Sequence, residues 1–218
     1  MKKSTKFILF LFAGMMMISL ISCVEYREEI TLNDDASGTL TFEIGLPEYT
    51  SIDEEEITEL TIISQCDSVE GISVTSRGTY MVDDITWIYV NAEFENITLL
   101  NDVRNEWFGR INLEEDEDGN IVYDRVITMS DMETDIRQSK FGYMLKYAFL
   151  GQYYWNYTIH FPSELLDSNA PLMRTDTISN TVVWEYNLAS LINEEKLMSA
   201  RYRPAKGIRG FLKNIFNR

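Results

Sequence analysis

The chain offers few groups suited to catalysis or metal binding. It holds two thiols, Cys23 and Cys66, and one imidazole, His160, in 218 residues. One histidine without other good ligands does not make a zinc site, and no Ser/His/Asp order is legible. His160 sits among Tyr153, Tyr154, Trp155, Tyr157 and Phe161 and reads as a structural residue of an aromatic strand. Glu114 to Ile121 places carboxylates at alternating positions before Gly119, as a calcium loop does. Position twelve of such a loop falls on Arg125, where a bidentate glutamate is needed, so the stretch reads as a hairpin tip. Cys66 follows an apolar stretch with helical spacing and reads as a buried thiol. Its neighbours Gln65 and Asp67 would not lower its pKa. No catalytic residue, metal ligand set or cofactor motif is identified, and the chain reads as non-enzymatic. That leaves Cys23.

Cys23 is positioned by what precedes it. Lys2, Lys3 and Lys6 form a cationic head, and Phe7 to Ile21 is an almost unbroken apolar run ending in Leu20-Ile21-Ser22-Cys23. A run of about 15 apolar residues is an export signal rather than a span, which needs about 20. Its end resembles a bacterial lipobox: aliphatic residue, variable position, small residue, cysteine. The resemblance implies a diacylglyceryl group on the Cys23 thiol, cleavage of residues 1–22 and acylation of the new amine. Palmitate is the expected label. Two or more acyl chains anchor a protein stably, at about 0.8 kcal/mol per buried methylene. Val24 stands where an inner-membrane retention signal carries Asp, so the expected location is the cell envelope, at the periplasmic face of an outer membrane.

Charge divides the mature chain. Of nineteen basic residues, three lie in the signal and six in 201–218, leaving ten against all thirty-five acids, a body charge of −25. An acidic body repels nucleic acid, and no nucleic-acid motif is present. The three regions are therefore the signal peptide 1–22, a single acidic domain 23–200 and a basic tail 201–218. In the tail, Ile208, Phe211, Leu212, Ile215 and Phe216 share one helical face, with Arg209 and Lys213 opposite. An apolar face with aromatics and a cationic opposite face suit an amphipathic helix lying in a membrane interface. The same tail could instead pack on the acidic body or meet a partner protein.

Alternation predicts the strands. Val24–Asn33 and Thr39–Leu46 read as a hairpin about Asn33–Gly38. Ile72–Ser76 and Ile85–Phe94 read as a second, joined near Arg77-Gly78. Arg110–Glu114 and Ile121–Thr128 read as a third, about Asp118-Gly119-Asn120. Tyr153–Phe161 and Thr181–Tyr186 read as further strands. Helical spacing appears from a cap at Ser51 or Asp53 through Ile63, at Ile97–Trp107, at Phe141–Phe149 and at Leu188–Met198. The expected class is α+β, an antiparallel sheet of successive β-hairpins with helices packed on one face in repeated ββα order. The aromatics Phe141, Tyr147, Phe149, Trp155 and Tyr157 would then line a hydrophobic pocket or fill the core.

Three features resemble bacterial envelope lipoproteins of the LppM type. They are the lipobox followed by strand, Asn33–Gly38 turn and strand; the Phe161-Pro162 to Ser168-Asn169-Ala170 stretch; and the closing Thr181–Leu188 strand with Trp184. The resemblance implies an envelope lipoprotein with an α+β domain able to bind lipid, and it brings no catalytic residues. The expected function is a non-catalytic, lipid-anchored module that binds a hydrophobic ligand or lipid. The alternative is an interaction or scaffold subunit whose acidic surface meets a basic protein partner.

Overall fold

The computed structural model describes residues 25–47, 65–103, 109–127, 154–171, 180–187, 190–191 and 194–204. These hold ten strands: β1 (Glu25–Leu32), β2 (Gly38–Pro47), β3 (Ile72–Val82), β4 (Ile85–Phe94), β5 (Arg110–Glu115), β6 (Ile121–Ile127), β7 (Tyr154–His160), β8 (Leu165–Ser168), β9 (Thr181–Asn187) and β10 (Lys196–Tyr202). A six-stranded sheet has the order β3-β4-β2-β1-β7-β9, and a four-stranded sheet the order β5-β6-β10-β8. Neighbours are antiparallel except β1 and β7, which run parallel from Glu25↔Tyr154 to Thr31↔His160.

The α+β expectation is overturned. Helical backbone among the described residues is confined to a 3-10 turn, Ile97–Asn101, and to residue pairs at 65–66 and 190–191, and none forms a helical layer on a sheet face. Instead the two sheets share one core. In the large sheet Ile30, Leu32, Phe42, Val90, Tyr157 and Trp184 point inward; from the small sheet Leu113, Tyr123, Met198 and Tyr202 meet them. Period-two burial produces this directly, since alternate side chains leave a strand on opposite faces.

Two helical expectations fail for identifiable reasons. Of the expected helix Ile97–Trp107, residues 97–101 form a 3-10 turn and not an α-helix, and 104–107 lie outside the described residues. Asn96 caps the 3-10 turn by accepting from the Thr98 N–H at 2.9 Å. The Asn101 side chain then bonds both the N–H and the C=O of Ile111, at 2.7 and 2.8 Å, tying the turn to β5. Of the expected helix Leu188–Met198, residues 196–198 belong instead to β10, where Met198, Ala200 and Tyr202 alternate inward and Leu197 faces solvent, 48% exposed; 188–189 and 192–193 lie outside the described residues. Short apolar runs fit either period, and β10 is claimed by β6 on one side and β8 on the other. The expected helices at 51–63 and 141–149 lie outside the described residues, as does the tail beyond Pro204; Arg201 and Tyr202, expected in the tail, belong to β10. Among the described residues, no helix is long and apolar enough to cross a membrane.

The second hairpin turns at Asp83-Asp84, not at Arg77-Gly78. Both aspartates have positive φ, 50° and 62°, between the paired residues Val82 and Ile85. A two-residue hairpin turn of this kind needs positive φ at both centres, and aspartate tolerates it better than most residues. β3 is therefore eleven residues long and projects beyond the start of β1.

Candidate functional site

Row by row, β1 sets the frame. Glu25 pairs with Gly45 in β2, Gly45 with Trp87 in β4, and Trp87 with Tyr80 in β3; on the other side Glu25 pairs with Tyr154. Cys23 lies outside the described residues, but it stands only two positions before Glu25, a reach of at most about 7 Å. The end of the sandwich where β1 begins is thus the end to which any group on Cys23 is tied.

That end has a built surface. Trp87 is on the outer face of the large sheet yet only 2% exposed. Its ring lies over Gly45, where a Cβ would come within 3.1 Å of it. The Arg27 guanidinium sits 3.8 Å from the indole, and Tyr80 stacks on it at 6.3 Å between centroids. Tyr80 in turn donates to Glu43 Oε1 at 2.8 Å. Burial, with Glu43 beside it, pushes the Tyr80 hydroxyl up to about 12. The β3–β4 hairpin is therefore held stiffly to its tip, where Met81 and Val82 are 64% and 47% exposed.

Between the sheets lies a buried ion pair. Arg125 in β6 donates from Nη1 and Nη2 to Glu28 Oε1 and Oε2, at 2.8 and 2.9 Å. Both side chains are fully buried. The guanidinium lies 4.3 Å from the Tyr157 ring centroid and 5.1 Å from that of Trp155, and the Tyr123 and Tyr157 hydroxyls share a 2.6 Å hydrogen bond. Burial raises the Glu28 carboxyl pKa, with Arg125 opposing. Burial pulls the Arg125 pKa down, but Glu28 and the two tyrosines outweigh it, so the guanidinium is held charged. Paired bidentate geometry is what makes such a pair tolerable in a core. Reading for motifs missed both residues. The available signal was parity: Glu28 falls in step with Ile30 and Leu32, and Arg125 with Tyr123 and Ile127.

The pocket expectation meets this cluster. Trp155 and Tyr157 are buried in stacks with Tyr186 and Trp184, with ring centroids 6.4 and 5.6 Å apart. Phe141, Tyr147 and Phe149 lie outside the described residues. His160 bridges two strands on the outer face: Nδ1 bonds Thr181 Oγ1 and Nε2 bonds Glu29 Oε1, each at 2.8 Å. The order hydroxyl–imidazole–carboxylate resembles a hydrolytic relay, but it lies on a flat sheet face and follows from the cross-strand pairing of His160 with Thr181. Cys66 is 1% exposed, and burial pushes its thiol up to about 11. In the acidic run, Asp116 Oδ1 accepts from the N–H groups of Asp118 and Asn120 at 2.9 and 2.8 Å, which is a hairpin tip.

The opposite end of the sandwich is polar. A recess of about 550 Å³ opens there, lined by Asn33, Ser37, Thr39, Ser73, Glu93 and Glu95. The chain's last described strand also ends there. Tyr202 packs on Phe161 at 4.9 Å between centroids and feels the charge of Asp34.

Two of the sequence features that suggested a resemblance prove to be in contact. Trp184 Nε1 donates to Asn169 Oδ1 at 2.9 Å, and Asn169 also bonds Leu197 O and Ser199 N. The architecture is that of a two-layer β-sandwich carrying a buried interlayer ion pair. Among solved structures it resembles the NMR structure of the folded domain of Mycobacterium tuberculosis LppM, with a TM-score of 0.50 over 85% of this chain and 92% of that one. At 14% identity the likeness is one of fold. No protein-family model and no curated protein sequence matches the chain.

Proposed function

We propose that the chain is a non-catalytic lipoprotein of the cell envelope, anchored through acylated Cys23 at the periplasmic face of an outer membrane. The observation that carries this reading is the immediate start of β1. A central strand, paired on both edges, begins two residues after Cys23. An acyl group there holds the folded body itself and not a free linker. The likeness in fold to the LppM domain supports the same reading. Replacing Cys23 with Ser and labelling cells with radioactive palmitate tests it. The native chain takes up label and partitions into detergent, while the variant does neither; an unlabelled native chain in the aqueous phase overturns the proposal.

The body's role in this reading is an interaction surface. Trp155 and Tyr157 are spent on core stacking, whereas the β3–β4 tip presents apolar side chains to the outside. Exposed apolar residues clustered in one place mark contact surfaces.

A further inference from the structure

The large exposed apolar side chains among the described residues are Tyr80, Met81, Val82, Tyr154 and Leu197. Their positions are not scattered. Tyr154 pairs directly with Glu25, and Tyr80 stands on the same cross-strand row. Met81 and Val82 lie beyond that row, in the direction from which β1 enters. Leu197 pairs with Val126, the neighbour of Arg125, which meets Glu28 midway along β1. Tyr80, Met81, Val82 and Tyr154 therefore sit at the end of the sandwich where β1 begins. The other end carries Asp34, Asp35, Glu93, Glu95, Asp116 and Asp118.

We infer that the β3–β4 tip, with Tyr154, is a membrane-contact rim that seats the tethered body end-on against a zwitterionic lipid surface. The inference rests on the anchoring of Cys23 proposed above. Strand spacing puts Tyr80 roughly 15 Å from Glu25 across the sheet, and the tip projects about two residues, or 7 Å, past the row. Cys23 is two residues past the same row in chain length. Two residues of chain are long enough to let an acyl group on Cys23 reach the plane of the tip. Lipid at Cys23 already confines the body to that plane, so a few half-exposed apolar groups suffice to orient it. The aspartates at the crest set the depth and the lipid. Asp83 and Asp84, at the turn, stay in the headgroup layer, where carboxylates meet ammonium groups and are repelled by anionic lipid. Stacking of Tyr80 on Trp87, with the Glu43 bond, keeps the tip from folding back.

The test uses the full chain with Val82→Cys, purified with its lipid and labelled with a polarity-sensitive fluorophore. Cys23 is blocked by the acyl group and Cys66 is buried, so only the new thiol reacts. Asp118→Cys, at the other end, is the control. On phosphatidylcholine/phosphatidylethanolamine vesicles carrying headgroup-proximal nitroxide lipid, position 82 shifts to the blue and is quenched roughly threefold more than position 118. Replacing part of the lipid with phosphatidylglycerol reduces the difference. Should Val82→Cys not fold, Met81→Cys carries the same label. If the protein floats with vesicles but positions 82 and 118 are quenched alike, the rim is overturned and the tether stands. If the mass of the N-terminal peptide shows no acyl group, the tether itself fails.

Discussion

The indole of Trp184 donates a 2.9 Å hydrogen bond to Asn169 Oδ1, joining the closing strand of one sheet to the loop after the edge strand of the other. The same amide oxygen accepts from Ser199 N, and its nitrogen donates to Leu197 O. One side chain thus satisfies three partners from two sheets. Asn169→Ala leaves a fully buried indole N–H without its acceptor and should cost about 2–3 kcal/mol. Urea unfolding reads this as a lower midpoint with an unchanged slope. A loss within error of zero would show that water replaces the amide.

Glu28 and Arg125 are 97 residues apart and wholly buried. Arg125→Met strands a carboxylate and should destabilise by about 3–5 kcal/mol, while the double change Glu28→Leu with Arg125→Met recovers most of that. Equal losses in the single and double variants would mean that ring packing, and not the charge pair, sets the cost.

Alkaline pH should loosen the core. Burial pushes the Tyr157 hydroxyl up to about 12 and that of Tyr80 to about 12. A folded pKa above the unfolded value means that the stabilisation is complete below about pH 10 and is lost as pH rises from there towards 12. The urea midpoint should be level from pH 8 to about 9, begin to fall there as the Cys66 thiol titrates in the unfolded chain, and fall steeply above about 10. Cys66, raised to about 11 by burial, should stay unmodified by thiol reagents at pH 8 until urea is added.

The two ends of the body leave in opposite directions. Cys23 is tied to the start of β1, whereas Tyr202 is packed at the other end, on Phe161. With the body end-on, the membrane plane lies roughly 25 Å from Tyr202, while Tyr202 to Ile208 spans at most about 20 Å. On that geometry Ile208 does not reach the plane without tilting the body, whereas Phe211, Leu212, Ile215 and Phe216 reach it only if the chain from Tyr202 runs back extended along the body. Deleting residues 207–218 should leave vesicle flotation of the lipidated protein unchanged. A several-fold loss would favour a tilted body with the tail as second contact.

Much of the strand pattern was legible. The first and third hairpins follow from alternation around turns containing Gly38 and Gly119, because those signals are local. The β3–β4 turn was hidden, since Asp83-Asp84 lacks the glycine that usually marks such a turn. The visible glycine, Gly78, lies in mid-strand under the Tyr89 ring. β10 was hidden because its identity is decided by β6 and β8, far away in sequence. The ion pair was hidden because charge suggests surface. The proposed lipidation of Cys23 rests on four local residues, whereas the proposed contact rim rests on the cross-strand register that sets Tyr80 on the same row as Glu25.

The parallel pairing of β1 with β7 has a kinetic consequence. In the folding chain β1 can zip against β2 at once, but its other edge finds no mate until residues 154–160 join it. Closing a loop of that length is slow, and an unpaired hydrophobic edge invites aggregation meanwhile. The folding chain should therefore lean on a chaperone that shields Ile30 and Leu32, and should commit to its final form late.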